Sequence, residues 1–487
     1  MPAVTQKSAL EYAPTQFYIG GEWRDGASGQ AFEVHDPATG RTLTEVADGT
    51  TADGAAALDA AVAAQADWAA TPPRERSEIL RAAYERVAEL TETFAMLMTL
   101  EMGKPLAESR GEVAYGNEFF RWFAEEAVRI HGRYAVAPAG GTRVMTTKQP
   151  VGPVFAITPW NFPLAMGTRK IGPALAAGCT IVVKPASETP LTMLALAKVF
   201  EEVGLPAGVL NVVTTSHSSD VSEPIIRDPR LRKLTFTGST GVGKKLVEQS
   251  SEQLLRLSME LGGNAPFLVF DDADIDAAVE GAMLAKMRNI GEACTAANRF
   301  IVHESVAEEF AEKFAKRMKA LTVGKGTAKG VDVGPLITEK ARDGVSELVE
   351  DAVGKGARCL LGGEVPSGKG HFYPPTVLVD VPKNARLMRE EIFGPVAPIT
   401  TFATEDEAVT LANDTEFGLV GYVYTRDNAR TIRVAEALEY GMVGVNQGVV
   451  SNPAAPFGGV KHSGYGREGG FEGIEEYLET KYIGLAL

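Results

Sequence analysis

Cys294 and Glu260 are the two residues of this chain best suited to making and breaking a covalent bond. A thiolate can add to a carbonyl carbon and hold the product as a thioester, and a carboxylate can activate the water that releases it. Cys294 stands in Asn289-Ile-Gly-Glu-Ala-Cys294-Thr, and Glu260 in Met259-Glu260-Leu-Gly-Gly-Asn264. Upstream, Thr158-Pro159-Trp160-Asn161-Phe-Pro163 follows an apolar run and supplies, in Asn161, a side-chain amide suited to an oxyanion. Each has a plainer reading on its own, since most buried cysteines are inert core and most glutamates are solvated. The combination is what points to acyl chemistry.

The elements that position these residues follow from the hydrophobic pattern. Apolar runs at 154–157, 180–183, 209–213 and 233–237 read as strands, each followed by a helix-like stretch. That alternation predicts βαβ crossovers and a parallel sheet with helices on both faces. Ligands of such sheets collect at the carboxyl ends of the strands, where Trp160, Lys184 and Gly238 fall. A second series starts near Glu260, with strands at 266–269, 299–302, 397–402, 418–424 and 442–445. Helices near 275–287, 305–320 and 428–439 separate them, so Cys294 falls on a loop at a domain junction. Stretches 131–150 and 470–487 contain strand-like runs with no helix after them, and 324–335 reads as a Gly/Lys-rich surface loop.

Composition narrows the class. The 487 residues are enough for two or three domains with ample core. With 48 Lys+Arg against 63 Asp+Glu the net charge is −15, and no basic run tracks phosphates, so nucleic acid is not an expected partner. No apolar stretch is long enough to span a bilayer and no signal pattern opens the chain, which argues against a membrane and for a cytoplasmic location. Cys179, Cys294 and Cys359 lack paired spacing and the six histidines are scattered, so neither disulfides nor a metal are expected.

The motifs around Asn161, Glu260 and Cys294, in this order, resemble those of the aldehyde dehydrogenase superfamily. Further collinear segments agree: Lys184-Pro-Ala-Ser187, Phe236-Thr-Gly238-Ser239-Thr-Gly-Val-Gly243, Glu391-Ile-Phe393-Gly-Pro and Pro456-Phe-Gly-Gly-Val-Lys-His-Ser-Gly464. The resemblance runs from about Tyr18 to the C-terminus. It implies an α/β fold with a Rossmann-type parallel-sheet cofactor domain (15–130 and 151–259) and an α/β catalytic domain (260–469). A small β oligomerisation arm (131–150 and 470–487) would extend a partner subunit's sheet, so a homo-oligomer, dimer or tetramer, is expected. The resemblance makes Cys294 the nucleophile, Glu260 the base and Asn161 an oxyanion donor, and it links Glu468 and Lys170 to proton movement around that base.

The cofactor implied is NADP or NAD, held by Thr158, Pro159, Trp160, Lys184, Ser187, Gly238, Ser239, Gly243, Glu391 and Phe393. Glu391 and Phe393 match the pair that positions the nicotinamide ribose and ring. NAD-preferring relatives often carry a glutamate where Ser187 stands. Serine there removes a repulsion, so Lys184 and Ser187 favour NADP, with Glu188 as the complicating neighbour.

Two glycine patterns look like other functions. Gly238-Ser-Thr-Gly-Val-Gly243-Lys244-Lys245 nearly matches a Walker A loop but lacks its final hydroxyl, which weakens a phosphotransferase reading. Gly464-Tyr-Gly466-Arg-Glu-Gly469 matches a dinucleotide fingerprint but follows a loop rather than a strand. The better use of Gly238–Gly243 is a turn that opens a helix N-terminus toward a pyrophosphate.

Substrate choice rests on Arg169, Arg288 and Ser451. Two guanidinium groups and a hydroxyl converging on a tunnel suit a carboxylate. The combination resembles the succinate-semialdehyde branch of the family, with glutarate semialdehyde or unspecific aliphatic aldehydes as alternatives. Glu260 speaks against a coenzyme-A-acylating branch, because a hydrolytic base would waste the thioester. Ala296 stands where some relatives carry a second cysteine, so no local disulfide with Cys294 is possible. The intact Asn161, Glu260 and Cys294 also oppose an inactive protein on the same fold.

Overall fold

Residues 4–486 are described by a computed structural model. Two sheets dominate it. In spatial order the first runs Gly464–Tyr465, Arg256–Glu260, Lys233–Thr237, Val154–Ile157, Ile181–Lys184, Leu210–Val212, Phe17–Ile19 and Glu22–Arg24. The five strands from Arg256–Glu260 to Leu210–Val212 are parallel, and the remaining neighbours pair antiparallel. Four of the five are buried along their length and the fifth, Arg256–Glu260, over its last three residues, as expected where helices cover both faces. Strand order reverses between Val154–Ile157 and Lys233–Thr237, and the segments carrying Trp160 and Gly238 leave from these two strands. This switch point is where an open parallel sheet offers a crevice.

The second sheet runs Arg358–Leu361, Thr376–Val379, Val396–Phe402, Ala297–His303, Ala265–Val269, Val420–Tyr424 and Met442–Val445. Glu260 ends a strand of the first sheet, and Ala265 begins one of the second. The carboxyl edge of one sheet therefore meets the amino edge of the other. The Gly262–Gly263 turn between them packs against the Cys294 loop so closely that a Cβ on Gly263 would lie 2.4 Å from the Cys294 carbonyl oxygen.

Helices Thr51–Ala70, Pro73–Glu89, Thr91–Glu101 and Leu106–Glu126 cover the first sheet. The helix Leu106–Glu126 packs on Ala165–Ala177, the helix that carries Arg169 and Lys170. Their approach depends on Gly116, whose Cβ would stand 2.9 Å from Ala165 Cα. Phe119, Phe120 and Phe123 fill the contact, each fully buried and each worth roughly 2–3 kcal/mol of transfer free energy.

Arg133–Val136, Thr142–Pro150 and Leu478–Ala486 form a separate antiparallel sheet. Residues Glu472–Glu475 within 470–487 are a helical turn rather than part of a strand. The segment 324–335 is also less exposed than its composition suggests. A bridge joins Val323 to Val333, and Gly326 and Gly334 sit against the main chain of Gly103 and Lys104. No helix among the described residues is long and apolar enough to cross a membrane.

Candidate active site

Cys294 is half-buried on the loop between the helix Ile275–Met287 and the strand Ala297–His303. The loop is pinned by the Tyr422 hydroxyl, which donates to the Thr295 carbonyl at 2.9 Å. Burial pushes the Cys294 thiol up to about 12, and Arg169 opposes that shift only in part. Phe162, Ala165, Met166, Ala293 and Ala296 form an apolar cluster beside it, with Tyr115 packed on its edge.

Asn161 follows the strand Val154–Ile157. Its Nδ2 donates to the Glu292 carbonyl at 3.0 Å, and its Oδ1 accepts from the Phe162 N–H at 3.1 Å. One Nδ2 hydrogen is thus left for another acceptor. Asn289 has φ +54° and donates to the carbonyls of both Asn161 and Glu292 at 2.9 Å, tying the Asn161 and Cys294 segments together.

Glu260 is buried at the end of its strand, between Thr237 on one side and Gly464 on the other. Gly458 makes room for it, since a Cβ there would lie 2.9 Å from Oε1. Burial raises the Glu260 carboxyl well above the ordinary range, and the charge of Glu468 adds to the effect. Glu468 behaves in the opposite way. Although burial works against its charge, Lys170 and Arg169 hold its carboxyl below the usual range. Lys170 Nζ lies 2.5 Å from Glu468 Oε1 and donates to Thr235 at 3.0 Å, while Arg169 Nη2 lies 2.7 Å from Oε2.

This arrangement changes the picture of Arg169. Instead of presenting a free guanidinium to a substrate, it is fully buried, ion-paired with Glu468 and stacked 3.9 Å from the Phe457 ring centroid. Arg288 is different. It is half-buried between the rings of Tyr115 and Phe162 (5.3 and 5.1 Å), its Nη1 donates to Ser451 Oγ at 3.2 Å, and among the described residues it makes no ion pair. Its positive field reaches Cys294.

A cavity of about 260 Å³ opens on the other side of Cys294. Pro159, Trp160, Gly238, Ser239, Glu391 and Phe393 all line it, together with Asn161 and Thr237. Trp160 and Phe393 meet edge to face at 5.4 Å. Burial pushes the Glu391 carboxyl up to about 7, and its Oε1 accepts from the Gly263 N–H at 3.1 Å. The residues fit a dinucleotide. Thr237 Oγ1 is buried in the wall without a hydrogen-bond partner among the described residues. The helix Thr240–Ser250 opens with Ser239 at its cap, whose side chain makes no cap bond. Gly243 lets that helix lie against Leu261, at 2.4 Å from where a Cβ would be.

Lys184 and Ser187 lie apart from this cavity. Lys184 is buried at its strand end, donates to Ser218 Oγ and the Pro185 carbonyl at 3.1 Å, and is pushed down to about 8 by burial. Ser187 Oγ donates to Glu188 Oε2 at 3.1 Å. Thr158 contacts the same strand end, its N–H donating to the Lys184 carbonyl at 3.1 Å.

Comparison with known proteins agrees with this geometry. The aldehyde dehydrogenase family model matches residues 23–483. The chain belongs to the aldehyde dehydrogenase family. Among its relatives, a succinate-semialdehyde dehydrogenase of Paenarthrobacter nicotinovorans is 61% identical over 444 residues, covering 91% of this chain and 99% of the relative. A glutarate-semialdehyde dehydrogenase of Pseudomonas putida is 52% identical, covering 96% and 97% of the two chains. The crystal structure of an NADP-dependent enzyme from Escherichia coli superposes with a TM-score of 0.97 at 50% identity, covering 98% and 99%. As an aldehyde dehydrogenase fold, the α/β architecture read from the sequence holds.

Several residues of the site escaped sequence reasoning. Tyr115 gave no signal, and Phe162 and Phe457 stood inside quoted motifs without a role, yet the three rings cradle the arginines. Lys104 and Glu112 resemble a surface helix pair in sequence but are both buried beneath Asn161. Only the placement of a charged residue in Gly103-Lys104-Pro105, between two turn formers, hinted at an ordered loop.

Proposed function

We propose that the protein oxidises succinate semialdehyde to succinate, with hydride transfer to NADP or NAD. The observation that carries the reading is the Arg288 guanidinium, half-buried between two aromatic rings, bonded to Ser451 and without an ion-pair partner among the described residues. A desolvated guanidinium without a counter-ion suits a substrate carboxylate, which it binds bidentately and strongly. The names of the relatives support an ω-semialdehyde as substrate.

In this reading the aldehyde enters beside Cys294, and the sulfur adds to the carbonyl carbon with loss of its proton. The free Nδ2 hydrogen of Asn161 and the Cys294 N–H stabilise the oxyanion, each donor contributing about 3–4 kcal/mol. A bound nicotinamide coenzyme supplies the hydride acceptor. Cys294 then holds the acyl group as a thioester. Glu260 takes a proton from water, the resulting hydroxide attacks the thioester carbon, and the carboxylic acid leaves as Cys294 is restored. Glu468, held ionised by Lys170 and Arg169, adds a negative charge near Glu260 that makes Glu260 the stronger base of the two. Arg169 thus acts on Glu468 and the Phe457 wall, while Arg288 and Ser451 bind the carboxylate.

Thr158, Pro159, Trp160, Gly238, Ser239, Gly243, Glu391 and Phe393 would hold the coenzyme, with Lys184 and Ser187 at its adenosine ribose. The arm sheet, with Tyr134, Val136 and Tyr482 exposed, supports self-association of subunits. A nucleophilic thiol fits a reducing compartment such as the cytoplasm.

The test is steady-state kinetics with succinate semialdehyde, glutarate semialdehyde and butanal, each with NADP and NAD. A kcat/KM for butanal at least a hundredfold below that for succinate semialdehyde, about 2.7 kcal/mol, is expected. Equal rates would leave a general aldehyde dehydrogenase. Higher kcat/KM for the five-carbon substrate would select the glutarate reading that the Pseudomonas putida relative favours.

A further inference from the structure

Beneath Asn161 lies a buried ion pair that the mechanism does not use. Lys104 is 1% exposed, and its Nζ donates to Glu112 Oε2 at 2.5 Å and to the Asn161 carbonyl at 2.7 Å. It also stands 4.3 Å from the centroid of the Phe162 ring. Glu112 Oε1 in turn accepts from the N–H groups of Leu164 (2.9 Å) and Ala165 (3.1 Å), at the start of the helix that carries Arg169 and Lys170. One ion pair therefore grips the chain at Asn161 and again at the helix start that follows it.

The bonds are continuous in one direction. Lys104 Nζ donates to the carbonyl of the Asn161–Phe162 peptide, and the N–H of that same peptide donates to Asn161 Oδ1 at 3.1 Å. The amide carrying Oδ1 ends in Nδ2. A cation at one end of such a chain polarises every amide along it, because hydrogen bonds in series strengthen one another in a low-dielectric interior. Stability alone gives little reason for charge here, since an apolar pair of similar volume commonly serves as well. Burial pushes the Lys104 ammonium below the ordinary lysine range, while Glu112 and Glu108 favour its charge.

We infer that Lys104, with Glu112, is a positioning residue for the oxyanion step: through the Asn161–Phe162 peptide it orients the Asn161 side-chain amide and sharpens it as a donor. The inference rests on the reading of Asn161 as an oxyanion donor. It makes the oxyanion site a two-layer structure, in which the group that touches the substrate draws part of its donor strength from a cation the substrate never meets.

The test is a double-mutant cycle on the full-length protein, read as the single-turnover rate of NADPH formation from succinate semialdehyde. Lys104→Gln keeps a neutral donor to the Asn161 carbonyl. It is expected to slow that rate at least tenfold, with KM and coenzyme Kd within threefold of the parent. In an Asn161→Ala background the same change should cost less than twofold, because its route to the substrate is gone. An equal loss in both backgrounds, or no loss in the parent, would overturn the inference. If Asn161→Ala alone leaves the rate unchanged, the reading of Asn161 fails and the inference falls with it. Should Lys104→Gln not fold, Lys104→Met with Glu112→Gln removes both charges and is read against the same outcomes.

Discussion

Arg288 donates to Ser451 at 3.2 Å across a sequence separation of 163 residues, joining the end of one helix to the loop that precedes Phe457. A hydroxyl beside a guanidinium that has no ion-pair partner among the described residues would suit a carboxylate at two points. Arg288→Met should lower kcat/KM for succinate semialdehyde by a hundredfold or more, about 2.7 kcal/mol, and leave butanal within threefold. Ser451→Ala should cost less, roughly tenfold, because it removes one neutral donor from the pair. Equal losses for both aldehydes would place Arg288 in the fold instead of the substrate site.

Glu260 and Glu468 lie in one buried cluster with opposite tendencies, Glu260 protonated more readily than usual and Glu468 less. Glu260 acts as a base only when ionised, so thioester hydrolysis should rise with pH through its raised pKa. Replacing Glu468 by Gln removes a neighbouring negative charge and frees Lys170 and Arg169 to act on Glu260. Both effects lower the Glu260 pKa, and the inflection in the pH–rate profile should move down by roughly one unit or more. An upward movement would contradict the assignment of Glu260 as the base.

Glu260→Gln should separate the two halves of the reaction. The first turnover should appear as a burst of reduced coenzyme, and steady-state turnover should fall at least a hundredfold as the thioester accumulates on Cys294. Mass spectrometry of the quenched protein should show the acyl adduct, and Cys294→Ser should show neither burst nor adduct.

With its pKa at about 12, Cys294 rests as a thiol in the free protein. Inactivation by iodoacetamide should therefore accelerate about tenfold per pH unit between pH 7 and 9 without reaching a plateau. A plateau near neutrality would reveal a preformed thiolate. Cys359 is exposed and remote from the cavity, and its modification should leave activity unchanged.

Glu188 accepts from Ser187 at 3.1 Å and its charge reaches Lys184, so it would oppose a 2′-phosphate held by that pair. Glu188→Gln removes that negative charge and should raise kcat/KM for NADP about tenfold relative to NAD, while Ser187→Glu should shift preference toward NAD. The ratio of the two coenzymes is the readout, since a general effect on folding would move both together.

What the sequence made legible was whatever depends on local pattern. Val154–Ile157, Lys233–Thr237, Met442–Val445 and the helix Ile275–Met287 stand at the expected residues, because short β-branched runs between turn formers and a capped amphipathic stretch leave few alternatives. Gly464–Tyr465 was not legible as a strand, since two residues carry no periodicity and pairing with Met259 and Glu260 alone defines them. The ion pairing of Arg169 was equally hidden. Its partner Glu468 is 299 positions away, and nothing local distinguishes a guanidinium waiting for a substrate from one already paired. The same holds for Lys104 and Glu112, whose burial is decided by the helix that packs over them.

The short pairing of Gly464 with Glu260 also governs how the molecule can move. At Gly464 φ is +104° and a Cβ would fall 1.9 Å from the Met259 carbonyl oxygen, so the late chain is stitched to the edge of the first sheet at Glu260, the proposed base. A clamshell motion of the two lobes would have to tear this seam and displace Glu260 with it. Room for a coenzyme to arrive, and for water to replace it before hydrolysis, has to come from side chains and loops around a rigid frame. Stiffening the two sheets against each other, for instance with an engineered cross-link, should therefore leave the steady-state rate unchanged.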